Sequence, residues 1–291
     1  MRRLIGRLRA WVLRRWRLAW PAGAPVGHAS SSDLAQARSW RSLDTGNDRD
    51  LWHEALEAHA FLRDLEPGER ERLVALAGQF LQDKTVSGAH DFILEHRMLA
   101  SIALQACLPV LELGLDWYRG WRGIVIYPGP FKVVREDIDE FGIAHVWEEE
   151  LAGEAWPGGP VILSWQDAEN GEAGYNVVIH EFAHKLAMVD GGDSGVPAAP
   201  PGVSHEAWQV AIERSFARVE NAVRCGRPLP IDDYAASNPG EFFAVMSEQF
   251  FTGPAVLSRH LPDLYEALVH FYRQDPLARA LRATHRERGS T

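Results

Sequence analysis

The sequence predicts an α+β fold, mostly helical, with a small, mainly antiparallel sheet beside one central helix. Three observations predict it. Apolar residues recur at helical spacing early and late in the chain. Between Gly123 and Trp165 the pattern changes to short β-branched runs broken by Gly and Pro. No internal repeat and no regular strand–helix alternation links these parts, so helices, a sheet and more helices share one core. With 291 residues, 46% of them hydrophobic, the chain is long enough to bury one.

The elements follow in order. Residues 1–50 form an Arg-rich start and a flexible linker. Met1–Trp20 holds seven arginines and no acid, with Leu4, Leu8 and Trp11 at roughly helical spacing. Two readings stand: a variable terminus, or peripheral membrane contact through the Arg/Trp face. Its apolar run is too short for a signal-peptide core. Ala22–Asp50 is rich in Ser, Ala, Gly, Pro and Asp and reads as a linker. Helices are expected from Leu51, over Pro67–Leu81 and over about Glu95–Leu113. GIVIYPGPFKVV reads as a hairpin turning at Pro128–Pro130, with a further strand over Gly142–Trp147. PVILSW, Pro160–Trp165, is another strand, either an edge open to an extended peptide or an interior one. Helical signals resume at Gly174 and return over Val203–Ala222, Pro239–Phe251 and Leu261–Phe271. The folded domain spans 51–280, and 281–291 is a tail.

Composition excludes several classes. A net charge of −10 argues against a general phosphate-binding surface, so no direct nucleic-acid binding is expected. Two cysteines in unlike surroundings, Cys107 and Cys225, give no disulfide framework and fit a reducing, cytoplasmic compartment. Met98–Leu115, the longest apolar stretch, is interrupted by Gln105, Pro109 and Glu112 and reads as a buried helix, not a membrane span.

Chemistry concentrates in YNVVIHEFAHKLAMVDGG, Tyr175–Gly192. Residues four apart stand one turn above each other, so His180 and His184 can aim both imidazoles at one metal ion. Glu181, rotated off that seam, stays within reach of a metal-bound water, which is why H-E-x-x-H suits hydrolysis. A third ligand is needed and no thiolate is well placed. In DDYAASNPGEFFAVMSEQFF, Glu241 is a candidate, yet Asn238, Pro239 and Glu241 also fit a capping box at a helix start. Glu248, seven residues on, is a substitute ligand, a partner holding a ligand histidine, or simply a paired glutamate. Tyr234 lies in a loop, as a packed phenol or one that swings toward the cleft. Glu148–Glu150, Asp167, Glu169 and Glu172 are acids that could meet a substrate's free amine, or surface charge.

HEFAHKL, IDDYAASNPGEFFAVMSEQFF, LPVLELGLDWYRGW and IYPGPF together resemble the Mlc titration factor A family of bacterial zinc metallopeptidases, over about Leu51–Asp275. The resemblance implies a zincin-like fold with one Zn2+ per chain, held by His180, His184 and Glu241, with Glu181 as catalytic base and Tyr234 as transition-state stabiliser. It implies peptide hydrolysis, aminopeptidase-like on small substrates. It also implies binding of a transcriptional repressor of the Mlc type, linked to sugar-uptake genes, and the alternative that sequestering the repressor is the main work. One departure stands out. Family members commonly carry Asp where this chain has Ala187, on the ligand face. Losing such an orienting partner weakens metal affinity or activity by ~10 to 100-fold unless Asp190, Asp193, Glu248 or a carbonyl substitutes.

Overall fold

The computed structural model describes residues 48–138, 144–189 and 195–289. The Arg-rich start, with its membrane-contact reading, lies outside the described residues, as do Asp190 and Asp193. Among the described residues no helix is long and apolar enough to cross a membrane.

Arg49–Ala58 (α1) and Ala60–Arg63 (α2) are separated at His59, whose extended backbone breaks the helix. Pro67–Asp83 (α3) opens on Pro67 behind a reciprocal Glu66/Glu69 cap. After the short strand Thr85–Gly88 (β1) comes His96–Cys107 (α4), buried from Met98 onward, as the apolar run requires. Then follow Gly123–Tyr127 (β2), Phe131–Ile138 (β3), Ala144–Leu151 (β4), Gly153–Ala155 (β5) and Val161–Ser164 (β6). Helices complete the chain: Trp165–Glu169 (α5), Val177–Ala187 (α6), His205–Arg224 (α7), Pro239–Thr252 (α8), Pro254–His260 (α9), Pro262–Tyr272 (α10) and Pro276–Gly289 (α11).

The sheet corrects the sequence reading. Its order is β1-β2-β6-β5, and β1/β2 and β2/β6 run parallel; only β5/β6 is antiparallel. The main sheet is therefore mainly parallel. The expected hairpin of GIVIY with FKVV does not form, because β1 and β6 already occupy both edges of β2. The strand beyond Pro128–Pro130 pairs instead with β4, as a separate antiparallel ribbon. The helix α4 lies between β1 and β2 in the chain, and such a crossover is what a parallel pair needs. PVILSW is interior, between β2 and β5; the edge belongs to the three-residue β5.

The central helix α6 packs on β5, β6, α4 and α8. Its apolar side carries Val178, Ile179, Phe182, Ala183 and Leu186, all buried. Phe182 meets the rings of Phe80, Tyr118 and Trp121 at 5.6, 5.1 and 5.7 Å, mostly edge to face, the favoured aromatic arrangement. That packing fixes the helix's rotation and so the direction of its polar seam.

Candidate metal centre

Asn176 starts α6: its side-chain oxygen accepts the Ile179 N–H at 2.8 Å, satisfying one of the donors a helix start leaves open. One turn later His180 and His184 face each other, ring centroids 4.8 Å apart. From α8, Glu241 comes to meet them. Asn238 caps α8 through the N–H groups of Gly240 and Glu241, at 2.9 and 3.0 Å, so the helix start is held without the Glu241 side chain. Glu241 Oε2 lies 3.1 Å from His180 Nε2 and 3.3 Å from His184 Nε2, and the two Nε2 atoms are 3.2 Å apart.

These three separations test whether a metal fits. Around a tetrahedral zinc with bonds of ~2.0 to 2.1 Å, neighbouring ligand atoms lie about 3.3 Å apart. The triangle His180–His184–Glu241 has that size. Two imidazole nitrogens pointed at each other, with a carboxylate beside them, are also a poor hydrogen-bonding arrangement and a good donor set for a cation. Burial works to raise the Glu241 carboxyl, but hydrogen bonds and charge from the two imidazoles outweigh it and hold it well below the carboxylate range. Burial works to lower the His180 pKa, and Glu248, Glu241 and Glu181 overcome it.

Behind the triangle runs a buried polar chain. His180 Nδ1 meets Glu248 Oε1 at 2.7 Å, so the ring's other nitrogen, Nε2, is the one presented to the site. The second oxygen of Glu248 accepts the Asn176 backbone N–H. Asn176 Nδ2 donates to Gln105 Oε1 at 2.7 Å, Gln105 Nε2 donates to Ser101 Oγ at 3.2 Å, and Ser101 Oγ lies 2.9 Å from His59 Nε2. All five residues behind His180 are buried. The sequence reading anticipated Glu248 as a partner of a ligand histidine but not the other four. Two signals were present: Gln105 as a polar break in an apolar helix, and Asn176 as an N-cap just ahead of the histidines.

Glu181 lies on the sheet side of α6, 5% exposed, and burial raises its carboxyl to about 7 against the pull of His180 and His184. Tyr234 sits on a 3-10 turn, Asp233–Ala236, with its ring 6.2 Å from that of His180 and close to parallel. Burial, then the charges of Glu241, Glu149 and Glu181, push its phenol above the usual range, so it stays protonated. Position 187 is a buried alanine, and the orienting of a ligand imidazole is done at His180 by Glu248, one of the substitutes the sequence offered. Of the acids considered for a substrate amine, Glu148 is tied to Lys132 and Glu169 to Arg97. Asp167 keeps a buried Oδ2 with no hydrogen-bond partner among the described residues.

Two imidazoles one helical turn apart, a carboxylate from a second helix and a buried glutamate between the histidines in sequence are the components of a metallohydrolase. The chain belongs to the family described as glucose-regulated metallo-peptidase M90, whose model matches residues 34–273. It is 40% identical over 237 residues to Mlc titration factor A from Yersinia pestis (strain Pestoides F), covering 79% of this chain and 87% of the relative. Mlc titration factor A from Yersinia pseudotuberculosis serotype O:1b (strain IP 31758) is similar to the same extent. This is a metallopeptidase chain, and its family implies a metal, typically zinc.

Proposed function

We propose that the protein is a zinc-dependent peptidase whose ion is held by His180, His184 and Glu241, with Glu181 as the base and Tyr234 as a donor to the reacting oxygen. The observation that carries this reading is the triangle of ligand atoms, 3.1 to 3.3 Å on each side. Bound there, zinc would polarise a scissile carbonyl and acidify a water toward a pKa of ~7. Glu181 takes the proton of the attacking water and returns it to the leaving amine. The protonated Tyr234 phenol donates a hydrogen bond to the carbonyl oxygen as charge builds on it. The outer edge of β5, next to α6, offers main-chain groups to an extended peptide.

The domain is residues 51–280, zincin-like in arrangement, working in the cytoplasm. We read the activity as aminopeptidase-like on small substrates. A second reading is favoured by the relatives' name, Mlc titration factor A. On that reading the chain binds a transcriptional repressor of the Mlc type, and hydrolysis is secondary.

The test is Glu181→Gln in protein whose zinc content has been measured. Hydrolysis of an unblocked aminoacyl anilide is expected to fall by at least ~10³-fold while zinc stays bound, and chelation of the wild type is expected to abolish it. Turnover retained by the zinc-loaded variant removes Glu181 as the base. Cleavage of amino-blocked peptides at the same rate as free ones removes the aminopeptidase reading. A variant that no longer turns over yet still captures the repressor separates binding from hydrolysis.

A further inference from the structure

Glu181 shares its pocket with a residue that has no side chain. Gly153 opens the edge strand β5, and a Cβ placed on it would lie 2.6 Å from Glu181 Oε1, 2.7 Å from Glu181 Cγ and 2.8 Å from Val177 Cγ2. All three distances are below ordinary contact. The backbone is no obstacle, because Gly153 is not among the glycines of positive φ. Only space forbids a larger residue.

The strand cannot easily retreat. Ala152 O accepts the Ser164 N–H at 2.7 Å, and Gly153 sits in register opposite Leu163 of β6. At the other end of β5 the turn is tied to α6 itself. Lys185 Nζ donates to Trp156 O at 2.6 Å and to Gly159 O at 2.7 Å, and the same ammonium lies over the Trp121 ring, 4.6 Å from its centroid. Strand and helix are thus fastened on both sides of the Gly153–Glu181 contact. Val177 is buried in the core and has no room to yield. That leaves the Glu181 side chain, whose Oε1 is the nearest of the three atoms, as the neighbour that gives way.

We propose that Gly153 is a positioning residue for Glu181: its bare Cα forms the wall of the slot that holds the carboxylate in its working place. The inference rests on Glu181 being the base, as proposed above. A side chain at 153 would leave the metal ligands where they are and displace the carboxylate, and a displacement of about 1 Å is enough to lower a rate by ~10²-fold.

The experiment compares the full-length, zinc-loaded wild type with Gly153→Ala, Glu181→Asp and the double variant. Gly153→Ala is expected to lower kcat by at least ~10-fold, with KM within ~2-fold and zinc content unchanged. Glu181→Asp removes one methylene from the crowded slot. The kcat of the double variant is therefore expected to lie ~10-fold or more above the value that multiplying the two single losses predicts, a compensation that a purely structural role for Gly153 would not produce. If Gly153→Ala does not fold, a soluble and folded double variant still supports the contact, while a double variant that also fails to fold overturns it. Additive losses, or wild-type kcat in Gly153→Ala, overturn it as well. Wild-type kcat in Gly153→Ala beside a dead Glu181→Gln removes this inference alone; an active Glu181→Gln removes the assignment of the base and this inference with it.

Discussion

The two sides of the candidate metal centre are built differently. Behind His180, every polar group from Glu248 through Asn176, Gln105 and Ser101 to His59 is buried and hydrogen-bonded. In front, Tyr234 is 48% exposed and Tyr175 39%. A buried polar group that loses its partner costs ~1 to 3 kcal/mol, so the rear chain resists any shift that would break a link. No such penalty restrains the front, where water replaces a lost partner. The difference separates two tasks: the rear holds imidazoles at fixed spacing and tautomer, and the front, on the function proposed above, admits a substrate and meets its changing charge.

This contrast can be broken from either side, and the front gives the larger effect. Tyr234→Phe removes one donor from the exposed side and is expected to lower kcat by ~10² to 10³-fold. Zinc content and melting temperature should not change, since the ring's stacking on His180 is kept. A variant that loses its zinc instead would place Tyr234 in the supporting structure. Glu248→Gln acts from the rear: it weakens the bond that fixes His180 and should lower zinc affinity by ~10 to 100-fold, read by competition with a chelator. Zinc affinity unchanged in Glu248→Gln would mean that the packing of α6 alone orients the ring.

What the sequence made legible follows from what is local. Helix starts at Pro67 and Pro239 and the cap at Asn238 are set by neighbours in sequence, and they lie where composition placed them; the helix expected from Leu261 begins one residue on, at Pro262. His180, Glu181 and His184 belong to one helix, so their spacing alone described their geometry. Glu241 stood between ligand and cap, and the structure separates the two by giving the cap to Asn238 and facing Glu241 to the histidines. Strand pairing is not local. Tyr127 and Phe131 flank a turn that looked like a hairpin, yet β2 is claimed on both sides by strands from 85–88 and 161–164. The rear chain was hidden for the same reason, because His59 and Ser101 are 42 residues apart and Gln105 and Asn176 71. Gly153 was equally silent: a strand of Gly-Glu-Ala carries no β signal, and its meaning appears only where it meets Glu181.

The far end of the rear chain gives the smallest effect and the sharpest limit on how far the support reaches. Burial lowers the His59 pKa from 6.5 to about 4, outweighing the pull of Glu169, so the folded protein keeps this ring neutral where the unfolded chain would protonate it. As pH falls below about 6.5 the unfolded state gains a proton that the folded state does not bind. Stability is therefore lost progressively until the folded pKa near 4 is passed. At pH 5 this amounts to about 2 kcal/mol, with no contribution from His59 above pH 7. His59→Gln keeps a group able to bond Ser101 and removes the titration. Its melting temperature relative to wild type is expected to rise between pH 7 and pH 5. If the difference between the two proteins is the same at both pH values, His59 titrates freely and the rigid rear ends at Ser101. If zinc affinity also changes at pH 7, the chain transmits to the metal ligands through its whole length.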